Sequence, residues 1–242
     1  MMKRSLLSIL LVASLTLTAC SMAKKNKDTS VNNQNSSVKQ NENQSSQTSA
    51  SSEVPNRDKG VSYNGSYYSV KGKYDEIIIV NKHYPLSQDY NPGENPTAKA
   101  ELLKLIAAMQ EQGFAISDEY SGFRSYENQS QLYQNYVNQD GQEAADRYSA
   151  RPGHSEHQSG LAFDLIDTSG NLVQEAGASQ WLLENSYKYG FIVRYQKGME
   201  SSTGYMPESW HLRYIGKEAK DIAQSGQSLE EYYGFTGGEY DE

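Results

Sequence analysis

The chain contains a single cysteine, Cys20, among its 242 residues. One cysteine cannot form an internal disulfide bond, which excludes a disulfide-stabilised scaffold and a cysteine-rich zinc finger. Basic residues are also few: 22 Lys and Arg stand against 30 Asp and Glu, a formal net charge of −8. This balance argues against nucleic-acid binding through a broad basic face, so we expect no nucleic-acid partner.

Aromatic residues are absent from the first 60 positions, although the chain has 19 Tyr, 5 Phe and 2 Trp. Only the part after residue 60 therefore has the large side chains needed to build a core. We assign residues 61–242 to one folded domain and expect a monomer. This domain holds 14 Lys and Arg and 26 Asp and Glu, a net charge of −12, so anionic lipid would repel it.

Residues 1–20 have the pattern of an export signal. A basic start precedes the mostly apolar stretch 6–17, which has the length of a signal-peptide core and is too short for a strong transmembrane span. The stretch ends in Leu-Thr-Ala-Cys, which resembles the bacterial lipobox. The resemblance implies cleavage before Cys20, lipidation of its thiol and anchoring at the extracellular face of the bacterial cytoplasmic membrane. The alternative is an ordinary secretory signal with an incidental cysteine.

Residues 21–60 are predicted to be a disordered polar tether. Ser, Thr, Asn and Gln make up 22 of these 40 residues. Such a segment cannot bury enough apolar surface to offset the entropy of ordering it. As a flexible coil it would have an r.m.s. span of roughly 35 Å.

The pattern after residue 60 predicts helices and strands around one core. Runs of β-branched and aromatic residues predict strands at 74–80, 161–166, 191–195 and 210–215. Helical spacing predicts helices at 96–112, from 126, at 142–148, 180–189 and 217–225. Because helices come first and short strands cluster later, we predict an α+β fold, in which helices pack around a small antiparallel sheet.

The best-defined of these elements is the helix at 96–112. Asn95 followed by Pro96 is typical of a capped helix start, and Gly113 is typical of a helix end. The predicted buried face comprises Leu102, Leu105, Ile106 and Met109.

Three of the four histidines lie in two short segments, 153–164 and 208–211. His157, Asp164 and His211 would supply two imidazoles and one carboxylate, a donor set that suits catalytic zinc. The residues alone leave other interpretations open. Asp164 could lie on a solvated strand face, and His211 could be a hydrogen-bonded core histidine.

These segments resemble the VanY-like zinc D-alanyl carboxypeptidases. Positions 155–164 have the pattern S-x-H-x-x-G-x-A-x-D, and 208–211 have E-x-W-H. The upstream segment 121–126, S-G-F-R-S-Y, matches an arginine-containing segment of that family. The resemblance covers about residue 61 to the end, and it implies a zinc site in a cleft at the sheet.

The resemblance implies a role for each polar residue of these segments. His157, Asp164 and His211 would bind one zinc ion, and Glu208 would be the general base. His154 would lie outside the metal shell, and we interpret His83, which is remote in sequence, as structural.

Four further residues match substrate-binding positions of the family. Arg124 would bind the terminal carboxylate of a peptide or stabilise the oxyanion, and the sequence does not separate these roles. Gln129, Ser155 and Tyr195 would also contact substrate. Alternatively, Ser155 could only cap a turn and Tyr195 could only end a strand.

The implied substrate is the peptidoglycan stem peptide. The resemblance favours an L,D-carboxypeptidase that removes D-Ala from tetrapeptide stems. The alternatives are a D,D-carboxypeptidase acting on pentapeptide stems, a catalytically inactive wall-binding module and an endopeptidase that cuts within the stem. The complete set of predicted catalytic residues argues against the inactive module.

Overall fold

A computed structural model describes residues 58 and 60–241 of the chain. The predicted export signal at 1–20, with the lipidation site Cys20, lies outside the described residues, as does nearly all of the predicted tether at 21–60. No helix in the described part is long and apolar enough to cross a membrane.

Two small antiparallel sheets and the helices around them form the described fold, which confirms the α+β prediction. The strands are β1 (Val61–Tyr63), β2 (Tyr68–Lys71), β3 (Glu76–Ile79), β4 (Ile116–Ser121), β5 (Ala162–Asp167), β6 (Phe191–Tyr195) and β7 (Glu208–Tyr214). The helices are α1 (Pro96–Glu111), α2 (Tyr126–Asp140), α3 (Gln142–Ala145), α4 (Ala176–Asn185), α5 (Glu200–Thr203), α6 (Ala219–Ser225) and α7 (Leu229–Tyr233). Short 3₁₀ helices occur at Glu156–Ser159, Ser186–Tyr189 and Gly216–Glu218.

The four-stranded sheet has the order β4-β5-β7-β6 and is antiparallel throughout. In its register Ser121 of β4 lies opposite Asp164 of β5, and Asp164 lies opposite His211 of β7. At the other edge, Tyr195 of β6 pairs with Glu208 of β7. Neighbouring positions on all four strands therefore hold predicted site residues or their direct neighbours.

Helix α1 packs its apolar face against this sheet. The Asn95 side chain accepts hydrogen bonds from the backbone N–H groups of Thr97 and Ala98, and Gly113 has a φ of +87°. Both predicted ends of the helix are thus confirmed. All four residues predicted for its buried face are buried: Leu102, Leu105, Ile106 and Met109.

The second sheet, in the order β1-β2-β3, forms another core with α6 and α7. Val70 and Ile77 pair across β2 and β3 and pack in this core. Ile192 of β6 and Ile215, which follows β7, belong to the same cluster. The two sheets are thus joined by packing around the ends of β6 and β7.

Several boundaries differ from the sequence prediction. Strands β1, β2 and β4 and helices α5 and α7 were not predicted. Helix α4 begins at Ala176 rather than at 180, because the Glu175 side chain caps it by accepting from the N–H groups of Gly177 and Ala178. Strand β7 begins at Glu208 rather than at 210, which places the predicted general base on the sheet.

Candidate metal centre

Three side chains with metal-binding chemistry converge where β5 and β7 pair. His157 comes from the 3₁₀ helix before β5, Asp164 from β5 and His211 from β7. One ligand atom from each lies within 4.8 Å of the others. The structure thus brings together the three residues predicted to bind metal.

Each imidazole is held by a hydrogen bond that fixes its orientation. His157 Nδ1 lies 2.8 Å from the carbonyl oxygen of Gly122, which can only accept, so Nδ1 carries the proton. His157 Nε2 then faces Asp164 Oδ2 at 3.1 Å. His211 Nε2 lies 3.1 Å from Glu156 Oε2, and its Nδ1 lies 2.8 Å from Asp164 Oδ1. Both rings therefore turn one nitrogen toward the same carboxylate.

The carboxylates of Asp164 and Glu156 favour a positive charge on the imidazole that lies between them, His211. Burial opposes the charged form of His211, but hydrogen bonds with Asp164 and Glu156 raise its pKa to about 10. Burial likewise opposes ionisation of Asp164, but the two histidines hold its pKa well below the ordinary value. A divalent cation satisfies the same demand with its own charge.

The donor set fits zinc. Two imidazole nitrogens and one carboxylate are three protein ligands, the number that catalytic zinc sites use while leaving a position for water or substrate. The hydrogen bonds on the outer nitrogens supply the surrounding contacts that metal-binding histidines need.

Glu208, the predicted general base, lies beside the three ligands. Its Oε2 is 3.9 Å from His211 Nδ1, and its side chain is 13% exposed. Burial raises the pKa of Glu208 to about 7; His211 and Arg124 oppose the rise, while Asp164 contributes to it. A carboxyl group with a pKa near neutrality can accept a proton and return it at ordinary pH.

Arg124 follows β4 and places a partly buried cation in the same cleft. Its Nη1 donates to Gln129 Oε1 at 2.8 Å, and its Nη2 donates to Ser121 Oγ at 3.2 Å. Gln129 is itself buried and donates to the Ala150 carbonyl at 2.6 Å. In this structure Gln129 therefore holds the Arg124 guanidinium in place.

A cleft of about 230 Å³ is lined by the three candidate ligands together with Glu208, Arg124 and Gln129. The remaining predicted substrate contacts, Ser155 and Tyr195, also line it. Ser155 makes no capping hydrogen bond through its side chain, which argues against the turn-cap alternative. The Tyr195 ring centroid lies 4.9 Å from that of His211 and 4.9 Å from that of Tyr205.

The other two histidines, His154 and His83, lie outside the metal cluster, in agreement with their predicted placement. His154 Nδ1 is 2.8 Å from the backbone oxygen of Asn81, and its ring packs edge-on against Tyr240. His83 Nδ1 is 2.9 Å from Asp241 Oδ1.

Sequence reasoning missed Glu156, the residue between Ser155 and His157. Its side chain is fully buried and accepts hydrogen bonds from Arg194 and Arg213. The signal for it was indirect. Arg194 lies within the mostly apolar strand β6, where a charged side chain needs a buried partner.

The architecture and the cleft agree with one family of enzymes. The VanY family model, described as D-alanyl-D-alanine carboxypeptidase, matches residues 93–217 of this chain, a span that includes the three candidate ligands, Glu208 and Arg124. Since this span is more than half of the chain, the chain belongs to the VanY family.

Two solved structures of carboxypeptidases are similar to this chain. The LdcB LD-carboxypeptidase is 72% identical with a TM-score of 0.74, and the match covers 75% of this chain and 97% of that one. A zinc complex of the E175A mutant of the vancomycin-resistance D,D-pentapeptidase VanY is 33% identical with a TM-score of 0.57, covering 64% of this chain and 97% of that one.

Among curated proteins, the putative carboxypeptidase YodJ of Bacillus subtilis is 35% identical over 182 residues. That match covers 65% of this chain and 66% of YodJ, so this chain spans about two thirds of that relative's length.

Proposed function

We propose that this chain is a zinc-dependent carboxypeptidase that removes the C-terminal D-Ala from peptidoglycan stem peptides. The observation that carries the proposal is one cleft that holds the His157, Asp164 and His211 donor set together with Glu208 and Arg124. A catalytically inactive wall-binding module would not need a partly buried carboxyl group with a raised pKa beside a metal site.

The three ligands would hold one zinc ion. When bound there, zinc would supply Lewis acidity, which polarises a carbonyl group and lowers the pKa of water. Glu208 takes a proton from the water that attacks the scissile carbonyl carbon. The C–N bond then breaks, and Glu208 passes the proton to the departing amine of D-Ala.

Arg124 supplies the positive charge that a carboxypeptidase needs. A guanidinium can bind the terminal carboxylate through paired, charge-assisted hydrogen bonds, or it can stabilise the developing oxyanion. Its hydrogen bonds to Gln129 and Ser121 fix its position before substrate arrives. Ser155 and Tyr195 complete the substrate-binding wall of the cleft.

We favour L,D-carboxypeptidase activity, which cuts the bond between the diamino acid and D-Ala in tetrapeptide stems. The 72% identity with the LdcB LD-carboxypeptidase supports it. The second candidate is D,D-carboxypeptidase activity on pentapeptide stems, which is supported by the family description and by the 33% identity with the D,D-pentapeptidase VanY.

Purified muropeptides separate these candidates. The zinc-loaded chain is incubated with tetrapeptide and pentapeptide muropeptides, and the products are weighed by mass spectrometry. We expect loss of one alanine from the tetrapeptide. Release from the pentapeptide alone would favour the D,D assignment, and zinc binding without any cleavage would favour the wall-binding module.

We also propose that the enzyme works as a monomer at the extracellular face of the bacterial cytoplasmic membrane, anchored through lipid on Cys20. The lipobox-like sequence that ends at Cys20 supports this location. Metabolic palmitate labelling tests it, with Cys20→Ala as the control. A wild-type chain that takes up no label would contradict the anchor.

A further inference from the structure

Glu156 is a fully buried carboxylate whose two oxygen atoms serve different partners. Its Oε1 accepts hydrogen bonds from Arg194 Nε at 2.8 Å and from Arg213 Nη1 at 2.9 Å. Its Oε2 lies 3.1 Å from Nε2 of His211. One oxygen is thus held by two arginines, and the other faces a candidate metal ligand.

The arginines are themselves anchored on the side away from the cleft. Arg194 donates through Nη1 and Nη2 to Glu230 at 2.9 and 2.6 Å. Arg213 donates through Nη2 to the backbone oxygen of Ile78, on β3. The Glu156 carboxylate is therefore fixed by groups from α7 and from both sheets.

Stability alone is a weak explanation for this cluster. The cost of removing charges from water can exceed their attraction, so well-packed apolar residues often serve as well or better. The direction of Oε2 suggests another use. A carboxylate that accepts from His211 Nε2–H keeps the proton on that nitrogen and leaves Nδ1 facing Asp164.

We propose that Glu156 is a positioning residue for the metal centre. It holds His211 in the Nε2-protonated tautomer and fixes the ring so that Nδ1 is presented as the ligand atom. The arginines hold the carboxylate in place. This inference rests on the proposed zinc site, and it adds a residue that does not itself bind metal or substrate.

The chain offers a matched control for this role. Glu156→Gln and Glu230→Gln each remove one negative charge from the same buried cluster, and each removes an anionic partner of Arg194. Of these two carboxylates, only that of Glu156 contacts His211. A merely structural contribution should therefore affect both variants, whereas a positioning role should affect one.

Zinc affinity is measured by competition with a chelator at fixed pH, and thermal unfolding verifies that each variant is folded. We expect Glu156→Gln to weaken zinc binding by about 10–100-fold, the effect typical of lost outer-shell partners. Glu230→Gln should stay near the wild-type affinity. Wild-type affinity in Glu156→Gln, or an equal loss in both variants, would overturn the inference.

If Glu156→Gln does not fold, a measurement on the wild-type chain tests the proposed tautomer of His211. Histidine side-chain ¹⁵N spectra of the zinc-loaded protein should show His211 protonated at Nε2. Protonation at Nδ1 would overturn the inference. Neither measurement needs substrate, so the role of Glu156 is tested independently of the proposed function. A chain that bound zinc but released no alanine would contradict the proposed function alone.

Discussion

Asp164 and His211 lie directly opposite one another on β5 and β7, with Asp164 Oδ1 2.8 Å from His211 Nδ1. The pairing of two central strands thus sets the separation between two of the three candidate ligands. His157 reaches the other oxygen of the same carboxylate from the 3₁₀ helix before β5. The geometry of the centre therefore depends on the sheet.

Asp164→Asn should lose zinc, because a neutral amide is a weaker ligand and no longer balances the cation. Metal content after dialysis measures the effect. Asp167→Asn makes the same chemical change on the same strand, where the side chain accepts from Ser169 and Asn171 N–H groups in a turn. This control should keep its zinc, and full zinc occupancy in Asp164→Asn would remove it from the ligand set.

Zinc should stabilise the wild-type chain against thermal unfolding. A ligand that binds only the folded state adds about 2.7 kcal/mol at a free concentration of 100 times its Kd. Removal of metal with a chelator should lower the Tm, and added zinc should restore it. The Tm of Asp164→Asn should not respond to zinc, and an equal rise in both proteins would place the binding elsewhere.

Arg124→Ala should lower kcat/KM by about 10–100-fold, the value of hydrogen bonds to a charged group. Arg147→Ala is the matched control, because Arg147 is exposed. Peptides with an amidated C-terminus then separate the two roles. If Arg124 binds the carboxylate, the variant loses its preference for the free acid; if it stabilises the oxyanion, the preference remains and kcat falls. Unchanged kinetics would exclude both.

Leu105→Ala should destabilise the fold by about 2–5 kcal/mol, since it leaves a cavity in the core between α1 and the four-stranded sheet. Leu105 is fully buried, whereas Leu103 on the same helix is 46% exposed. Leu103→Ala should therefore change the free energy of unfolding little. Denaturant unfolding measures both variants, and equal losses would contradict the packing described for α1.

Much of the site could be predicted from the sequence because its residues stand in short patterns. His157 and Asp164 lie seven residues apart, on a 3₁₀ helix and on the strand that follows it. The sequence pattern around them resembles that of a known family. The capped start of α1 was also predictable, because Asn95 and Pro96 act on adjacent backbone groups. Local chemistry was sufficient in these places.

Other features depend on contacts that sequence spacing does not encode. Strand β4 (Ile116–Ser121) lies at the edge of its sheet, and its pairing with β5 has an irregular register. Only Ile116 of this strand is buried, so its sequence does not need the alternating apolar pattern by which a strand is predicted. The two arginines that donate to Glu156, Arg194 and Arg213, lie 38 and 57 residues away along the chain. Gln129 was predicted as a substrate contact, and only the fold shows that its amide holds Arg124.

The central claim is that Glu208 moves the proton beside a zinc ion that other residues hold. Zinc content and alanine release from tetrapeptide muropeptide are measured on the same samples of wild-type and Glu208→Gln protein. The account predicts equal zinc occupancy and loss of alanine release in the variant. Release near the wild-type rate, with zinc bound, would contradict it.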